Sequence, residues 1–516
     1  MAAEPSTARR DEGENPLAEG LERLPVHPTT LTIFGATGDL SQRKLLPALY
    51  NLAHEGALPE RFNLIGVSRG ESSDEEFRST AREAIQRHSR RDADPKVLDA
   101  LLAHVRYARG SFDDPAVYEQ LERATAELDT EAGIVFNRVY YLSTSPAFFS
   151  VIVSQLGEHG LDSHDGAEVR VVIEKPIGTN LQEARDLNAA VLDVLEEDQV
   201  FRIDHYLGKE TVQNVLAFRF ANGLFEPIWN RNYIDSVQIT AAEEIGIGTR
   251  AGYYDSSGAL RDLVQNHMLQ LLCLLCMEPP VNFSADEVRD EKAKVLHAIH
   301  PPEPDDVNDM ALRAQYAAGV SSGEAAKGYR EEDDVPDDSQ TETYAALRLE
   351  VDNWRWAGVP LYLRTGKRLA RKVTEIAVTL KPVPHLAFAR DGGSVGVQPN
   401  QIILTVQPNE GASISLGAKI PGTRMKIRPV NMEFLYGTAF MSQSPEAYER
   451  LIMDAMRGDA TLFTRDDEVG AQWRIIDPIL SAWAGDRGDV IQYEAGTQGP
   501  EEAARLLLHD HRWRAI

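Results

Sequence analysis

The chain has 516 residues, and its 43% hydrophobic and 26% charged content is that of a folded globular protein of two to four domains. This excludes a disordered chain, a fibrous repeat and a small disulfide scaffold, and no run of about 20 apolar residues is available to span a membrane. With 80 acidic and 53 basic residues the formal charge is −27, which disfavours nucleic acid and anionic membranes as partners and confines any phosphate site to a local basic island.

The first 28 residues are polar and acidic, lack an apolar signal core, and read as a disordered lead-in. TLTIFG then predicts a buried strand, followed by the turn GATGDL and a helix, RKLLPALYNLA, whose Pro47 marks a start or a kink. FNLIGVSRG, HVRYARG, RVYYLST, EVRVVIEKP and QVFRIDHY predict further strands, separated by helices such as FRSTAREAIQRH and YEQLERATAEL. This alternation predicts a parallel, doubly wound α/β domain of Rossmann type over residues 29–202. The remainder, residues 203–516, reads as a larger α+β domain. Helices GKETVQNVLAFRFAN and SGALRDLVQNHMLQLLCLLCM come first. Long strands TYAALRLEV, VTEIAVTLKPV, QIILTVQP and ASISLGAKI follow with few helices between them, so a mostly antiparallel sheet is expected. The charged run YREEDDVPDD reads as a solvated loop.

The only two cysteines, Cys273 and Cys276, are too few for a disulfide framework and fit a reducing compartment. Their C-x-x-C spacing lies in an apolar helix with no second pair, so core packing is the expected role.

Gly35-Ala36-Thr37-Gly38-Asp39-Leu40 follows the first strand and opens a helix, where backbone amides suit a pyrophosphate. The third glycine of the dinucleotide fingerprint is absent, and a tight structural turn would use two glycines equally well. The position after the first strand of an alternating array favours a dinucleotide. An NAD site usually places a carboxylate after the second strand. This chain has Ser68-Arg69 there, and a guanidinium can pair with the 2′-phosphate of NADP.

Three further clusters look like one site. Lys175, in Ile173-Glu174-Lys175-Pro176, closes a strand at the carboxyl edge of the sheet, where such folds bind ligands. Pro176 suits a tight turn, in which cis peptides occur. In Arg202-Ile-Asp204-His205-Tyr206-Leu-Gly-Lys209, His205, Tyr206 and Lys209 can donate to one phosphate, whereas Asp204 would repel it and is better placed to orient a histidine. Asp262, Asn266, His267 and Gln270 fall on one arc of an otherwise apolar helix, and buried polar groups need partners. A structural network would satisfy a lone histidine; beside the other two clusters, His267 suits a general base near neutral pH. Tyr362 to Lys372 packs five basic residues and reads as the basic island a phosphorylated substrate needs. No G-x-S-x-G, H-E-x-x-H or P-loop occurs, so catalytic hydrolysis and metal chemistry lack support.

On GATGDLSQRKLLPALYNL, VVIEKPIGTNL, FRIDHYLGKETVQNVLAFRFAN, GALRDLVQNHMLQLLCLLCMEPP and TETYAALRLEVDNWRWAGVPLYLRTGKRLARK, the chain closely resembles the glucose-6-phosphate dehydrogenase family from about residue 30 to about residue 490. The resemblance implies oxidation of D-glucose 6-phosphate at C1 to 6-phosphogluconolactone with NADP⁺, the first step of the oxidative pentose phosphate pathway, in a cytoplasmic homodimer or homotetramer built through the second domain's sheet. It implies that His267 is the general base and that Asp204 orients it. His205, Tyr206 and Lys209 fall on phosphate positions, and Glu243, Asp262 and Lys367 on sugar hydroxyls, with Lys372 at a further substrate position. Lys175 falls on the lysine that touches substrate and cofactor. Gly35 through Leu40, Arg69 and Tyr141 fall on cofactor positions. Gln42 departs from the family, many of whose members carry a basic residue there; Arg43, Lys44 or Arg69 could compensate. Two other readings stay open at this point: another NADP-dependent sugar oxidoreductase, and a non-catalytic NADP-binding regulator.

Overall fold

A computed structural model describes residues 26–70, 72–385, 397–423, 426–437, 445–485 and 488–516. The expected lead-in therefore lies outside the described residues as far as position 25.

Six parallel strands form the first sheet: β1 (Thr29–Phe34), β2 (Phe62–Ser68), β3 (Val105–Arg109), β4 (Asn137–Leu142), β5 (Val169–Ile173) and β6 (Val200–Ile203). Their order is β3-β2-β1-β4-β5-β6, so the strand order reverses between β1 and β4 and opens a crevice at their carboxyl ends. All six residues of β1 are buried because both faces are covered. Alternate side chains serve opposite layers. Leu31 and Ile33 join the layer that holds Leu49 and Phe77, and Phe34 joins the layer of Tyr118, Phe149 and Ile152. Pro47 stands just past the π-helical stretch Ser41–Leu45, which runs without a break into helix Leu46–His54, so it marks the change of winding rather than a free helix start.

The second sheet is built from β7 (Ile234–Ala242), β8 (Ala311–Ala317), β11 (Tyr344–Leu349), β12 (Leu361–Gly366), β13 (Val373–Leu380), β14 (Gln401–Gln407), β15 (Gly411–Lys419), β16 (Ile427–Leu435) and β18 (Ile491–Glu494). A small hairpin joins β9 (Gly319–Ser321) to β10 (Glu324–Ala326). The large sheet runs β16-β15-β14-β13-β7-β12-β11-β8-β18. It is antiparallel except at β7–β12 and β8–β18. The chain is thus a Rossmann-type α/β unit joined to a larger α+β unit with a mostly antiparallel sheet.

The two units share material. β17 (Phe463–Thr464) adds an antiparallel strand to the edge of the first sheet beside β6. The helices on either side of it, Ala447–Arg457 and Asp466–Gly485, fold back with it. Glu449, almost fully buried, accepts from Asn51 and Arg90 at 2.8 Å, and Trp473 Nε1 donates to Ile177 O at 2.9 Å. Cys273 and Cys276 are buried free thiols in helix Leu269–Cys276, as packing in the core requires. The acidic run 329–338 is mostly exposed, held down by the buried side chains of Tyr329 and Val335. No described helix is long and apolar enough to cross a membrane.

Candidate active site

The dinucleotide turn sits at the crevice between β1 and β4. Gly35 has φ +83°, and a Cβ there would come within 2.1 Å of Ser143 O, so only glycine allows this approach of the two strand ends. Gly38 N donates to Gly35 O at 2.9 Å and closes the turn, and the chain then winds directly into a helix. Thr37 Oγ1 lies 2.8 Å from Ser68 Oγ and ties the turn to the end of β2. Arg69 is exposed just beyond, and no ion pair holds it among the described residues. Gln42 turns its amide back to Thr37 O at 2.8 Å. Lys44 is paired with Glu446 at 3.0 Å, and Arg43 lies 3.8 Å from Asp39, so Arg69 is the cation left to reach a 2′-phosphate. A glycine turn that brings a helix N-terminus to the sheet's switch point, with no carboxylate after β2, fits NADP.

The catalytic candidates converge from three elements. β6 ends at Ile203 and delivers Asp204, His205, Tyr206 and Lys209 in one loop. β5 ends at Ile173 and delivers Lys175, whose bond to Pro176 is cis. The third element is a helix that an ideal α-helical period describes imperfectly. Leu260–Met268 is wound as a π-helix, with about five rather than four residues between hydrogen-bonded groups. Asp262 and His267 are therefore about one turn apart and meet the same lysine. Lys175 Nζ lies 2.9 Å from Asp262 O, 3.3 Å from Asp262 Oδ1 and 2.9 Å from His267 Nε2. Asn266 caps locally, accepting from His267 N at 2.6 Å, and Gln270 leaves the site to join Glu468 and Lys292 in a buried network.

His267 is fully buried. Its Nδ1 lies 2.5 Å from Asp204 Oδ1, which also accepts from Tyr206 N at 2.9 Å. Burial alone would raise the Asp204 carboxyl, but the histidine beside it holds it well below the usual carboxylate range. A carboxylate at that distance fixes the tautomer: Nδ1 carries the proton and Nε2 presents its lone pair to Lys175. Burial also lowers His267, partly opposed by Asp204 and reinforced by the Lys175 charge, so the ring is neutral at pH 7. Tyr206 stacks on His267 with ring centres 4.3 Å apart, and His205 meets it edge-on at 4.5 Å. Burial and the neighbouring His267 and Lys175 push His205 well below its ordinary value. The Lys209 ammonium sits 4.2 Å over the Tyr206 ring and donates to Gln407 Oε1 at 2.9 Å. Burial and the charge of Lys372 lower it to about 8.

The expected basic island is corrected by the fold. Arg364 is a buried residue of β12, bonded to Thr240 Oγ1 at 3.1 Å and to Arg514 O, because β12 is an interior strand and not a surface segment. Arg368 pairs with Glu332 at 3.6 Å. Lys367 does reach the site, where it pairs with Glu243 and lies 4.0 Å from Asp262 Oδ2. Lys372 is exposed near Lys209. Tyr141 stands apart from this group, buried in β4 with its hydroxyl 2.6 Å from Glu174 Oε1. Gln407, Tyr448 and Glu174 were not singled out by the sequence. Gln407 and Tyr448 line a cavity of about 580 Å³ with Leu40, Lys44, His205 and Lys209, which joins the dinucleotide turn to the cationic loop. Their partners are far away in the chain, so no local motif could have marked them.

Comparison with known proteins gives the family of the chain. Residues 32–214 match the family model for the glucose-6-phosphate dehydrogenase NAD binding domain, and residues 216–514 match that for its C-terminal domain. The chain is 49% identical over 506 residues to glucose-6-phosphate 1-dehydrogenase 2 of Mycobacterium bovis, covering 97% of this chain and 98% of that one. It is 46% identical over 485 residues to glucose-6-phosphate 1-dehydrogenase of Aggregatibacter actinomycetemcomitans, covering 94% and 97%. A solved glucose-6-phosphate dehydrogenase in complex with its substrate glucose-6-phosphate superposes with a TM-score of 0.86 at 35% identity, over 95% of this chain and all of the other. The Mycobacterium avium glucose-6-phosphate 1-dehydrogenase superposes with a TM-score of 0.80 at 38% identity, over 94% and 99%.

Proposed function

The chain belongs to the glucose-6-phosphate dehydrogenase family, and from that premise we propose how its residues divide the work of the reaction. It is an oxidoreductase that converts D-glucose 6-phosphate to 6-phospho-D-glucono-1,5-lactone with NADP⁺, which when bound accepts the hydride from C1.

The observation that carries the reading is His267, buried with Nδ1 on a carboxylate and Nε2 open toward a crevice residue. His267 takes the C1 hydroxyl proton at Nε2, and Asp204 stabilises the imidazolium that forms. For this the C1 hydroxyl must replace the Lys175 ammonium as the donor to Nε2. Lys175 then remains on Asp262, between sugar and nicotinamide. His205, Tyr206, Lys209 and Lys372 hold the phosphate, remote from the reacting carbon, so that its binding energy orients C1. Glu243, Asp262 and Lys367 meet the sugar hydroxyls. Gly35 to Leu40 and Arg69 hold the dinucleotide, with Tyr141 beneath it. Residues 29–202 form the cofactor domain and 203–516 the substrate and assembly domain.

The protein works in the cytoplasm as a homodimer or homotetramer. Two buried free thiols suit a reducing compartment. An exposed apolar stripe on β15 and β16, formed by Leu416, Val430, Met432 and Phe434, suits a second copy.

The test is to mix protein, glucose 6-phosphate and NADP⁺ and follow absorbance of the reduced nicotinamide, beside His267→Asn. The variant is expected to keep its KM values and lose roughly 10²–10⁴ in kcat, the usual worth of a general base. Near-wild-type kcat would move the base elsewhere, and no turnover by the wild type would remove the reading itself.

A further inference from the structure

Arg69, the cation read as reaching a 2′-phosphate, stands exposed where β2 has ended. Gly70 follows it, and a glycine leaves the backbone freer than any other residue does. A guanidinium on such a chain end would have to be ordered as the cofactor arrives, and ordering a loop on binding weakens affinity.

The order comes from the neighbouring strand. Tyr107, on the edge strand β3, lies across the sheet from Gly66 of β2. A Cβ at Gly66 would come within 2.5 Å of the Phe77 ring, so the glycine makes room for Phe77, from helix Asp74–His88. Tyr107 leans on that ring with centres 5.3 Å apart, and its backbone N donates to Asp74 Oδ1 at 2.8 Å. Seated in this way, the phenol reaches past the end of β2. Its hydroxyl lies 3.1 Å from Ser68 O and 2.9 Å from Gly70 O, so one proton is shared between the two carbonyls that flank Arg69. Burial pushes the phenol above its ordinary value, so it keeps that proton. Ser68 is held further by Gly110 N, which donates to its carbonyl at 3.2 Å, and by Thr37 Oγ1, 2.8 Å from its hydroxyl. The backbone on both sides of Arg69 is therefore fixed, while its side chain stays exposed.

We propose that Tyr107 is a positioning residue for cofactor choice: its hydroxyl clamps Ser68 O and Gly70 O, so that the Arg69 guanidinium is already in place when the 2′-phosphate of NADP⁺ arrives. The proposal rests on the reading of Arg69 as the residue that meets that phosphate. It does not depend on which residue is the base.

The experiment uses the full chain as Tyr107→Phe, Arg69→Ala and the double variant, with kinetics for NADP⁺ and NAD⁺. Tyr107→Phe keeps the ring on Phe77 and removes only the hydroxyl. It should lower kcat/KM for NADP⁺ roughly three- to tenfold through KM, the worth of one net hydrogen bond. NAD⁺ kinetics, kcat and KM for glucose 6-phosphate should stay nearly unchanged. In the Arg69→Ala protein the same change should cost less than about twofold with NADP⁺, because its effect passes through Arg69. Adenosine 2′,5′-bisphosphate, which carries the 2′-phosphate without the nicotinamide, should weaken as an inhibitor of Tyr107→Phe, and adenosine 5′-monophosphate should not. Equal losses with both cofactors in Arg69→Ala remove the premise, and the clamp with it. If Arg69→Ala discriminates and Tyr107→Phe does not, the clamp alone is overturned. Losses that multiply in the double variant overturn it as well.

Discussion

At His267 the two ring nitrogens have different tasks, and pH separates them from the phosphate grip. The ring must be neutral to act, and burial lowers its proton affinity, so the acid limb of kcat/KM should fall below pH 6.5. Lys209 must be charged to hold a phosphate, and burial beside Lys372 brings it to about 8, so kcat/KM should decline again as pH rises through about 8. Lys209→Ala should lower kcat/KM for glucose 6-phosphate roughly 10- to 150-fold, spare KM for NADP⁺ and abolish the alkaline limb. An alkaline limb that survives in the variant belongs to another group. At the adenosine end, Arg69→Ala should cost roughly tenfold or more with NADP⁺ and little with NAD⁺, since Gln42 is neutral and Lys44 is committed to Glu446. Equal losses with both cofactors would show that Arg69 does not read the 2′-phosphate. Much of this site was legible because one short loop carries Asp204, His205, Tyr206 and Lys209. Gln407, 198 residues from the Lys209 it accepts from, and Tyr448 were not, because only the tertiary fold brings them there.

The catalytic helix depends on how it begins. Gly258 has φ 70° and ψ 172°, a backbone region open essentially to glycine, and a Cβ there would come within 2.3 Å of Glu342 Oε1. That same oxygen accepts from Leu260 N at 3.0 Å and anchors the first residue of the π-helical stretch. Gly258→Ala should therefore strain the backbone and displace the anchor together. The expected cost is about 1–3 kcal/mol in thermal or denaturant unfolding, with a fall in kcat as Asp262 and His267 lose register on Lys175. Wild-type stability and kcat would show that the entry turn does not set that register. The strands of the first sheet were readable as apolar β-branched runs. β7 and β12 were not, because β12 carries Arg364 and ends beside Lys367, which look like a solvated face. Burial of Arg364 is made tolerable by Thr240 and by the carbonyl of Arg514, a contact the local pattern cannot announce. The π-helix was also illegible, since an α-helical period gives nearly the same apolar stripe over nine residues.

At the scale of the molecule, the second sheet ends in a surface that the described residues leave uncovered. β16 is the edge strand, and its residues Val430, Met432 and Phe434 share one face with Leu416 of β15, which pairs with Val430. Exposures of 61% at Met432 and 40% at Phe434 are high for large apolar side chains standing side by side. An unpaired edge beside an apolar stripe is a hazard that natural sheets usually cover. A second copy can cover it with the same patch about a two-fold axis. The −27 charge of each chain opposes that association, so its strength depends on screening. Met432→Lys places a charge in the middle of the stripe, outside every contact described around His267. It should shift the assembly measured by light scattering toward the 57.2 kDa monomer, and more completely at low ionic strength than at high. A variant that keeps the wild-type mass at every salt concentration would show that this face is not where copies meet.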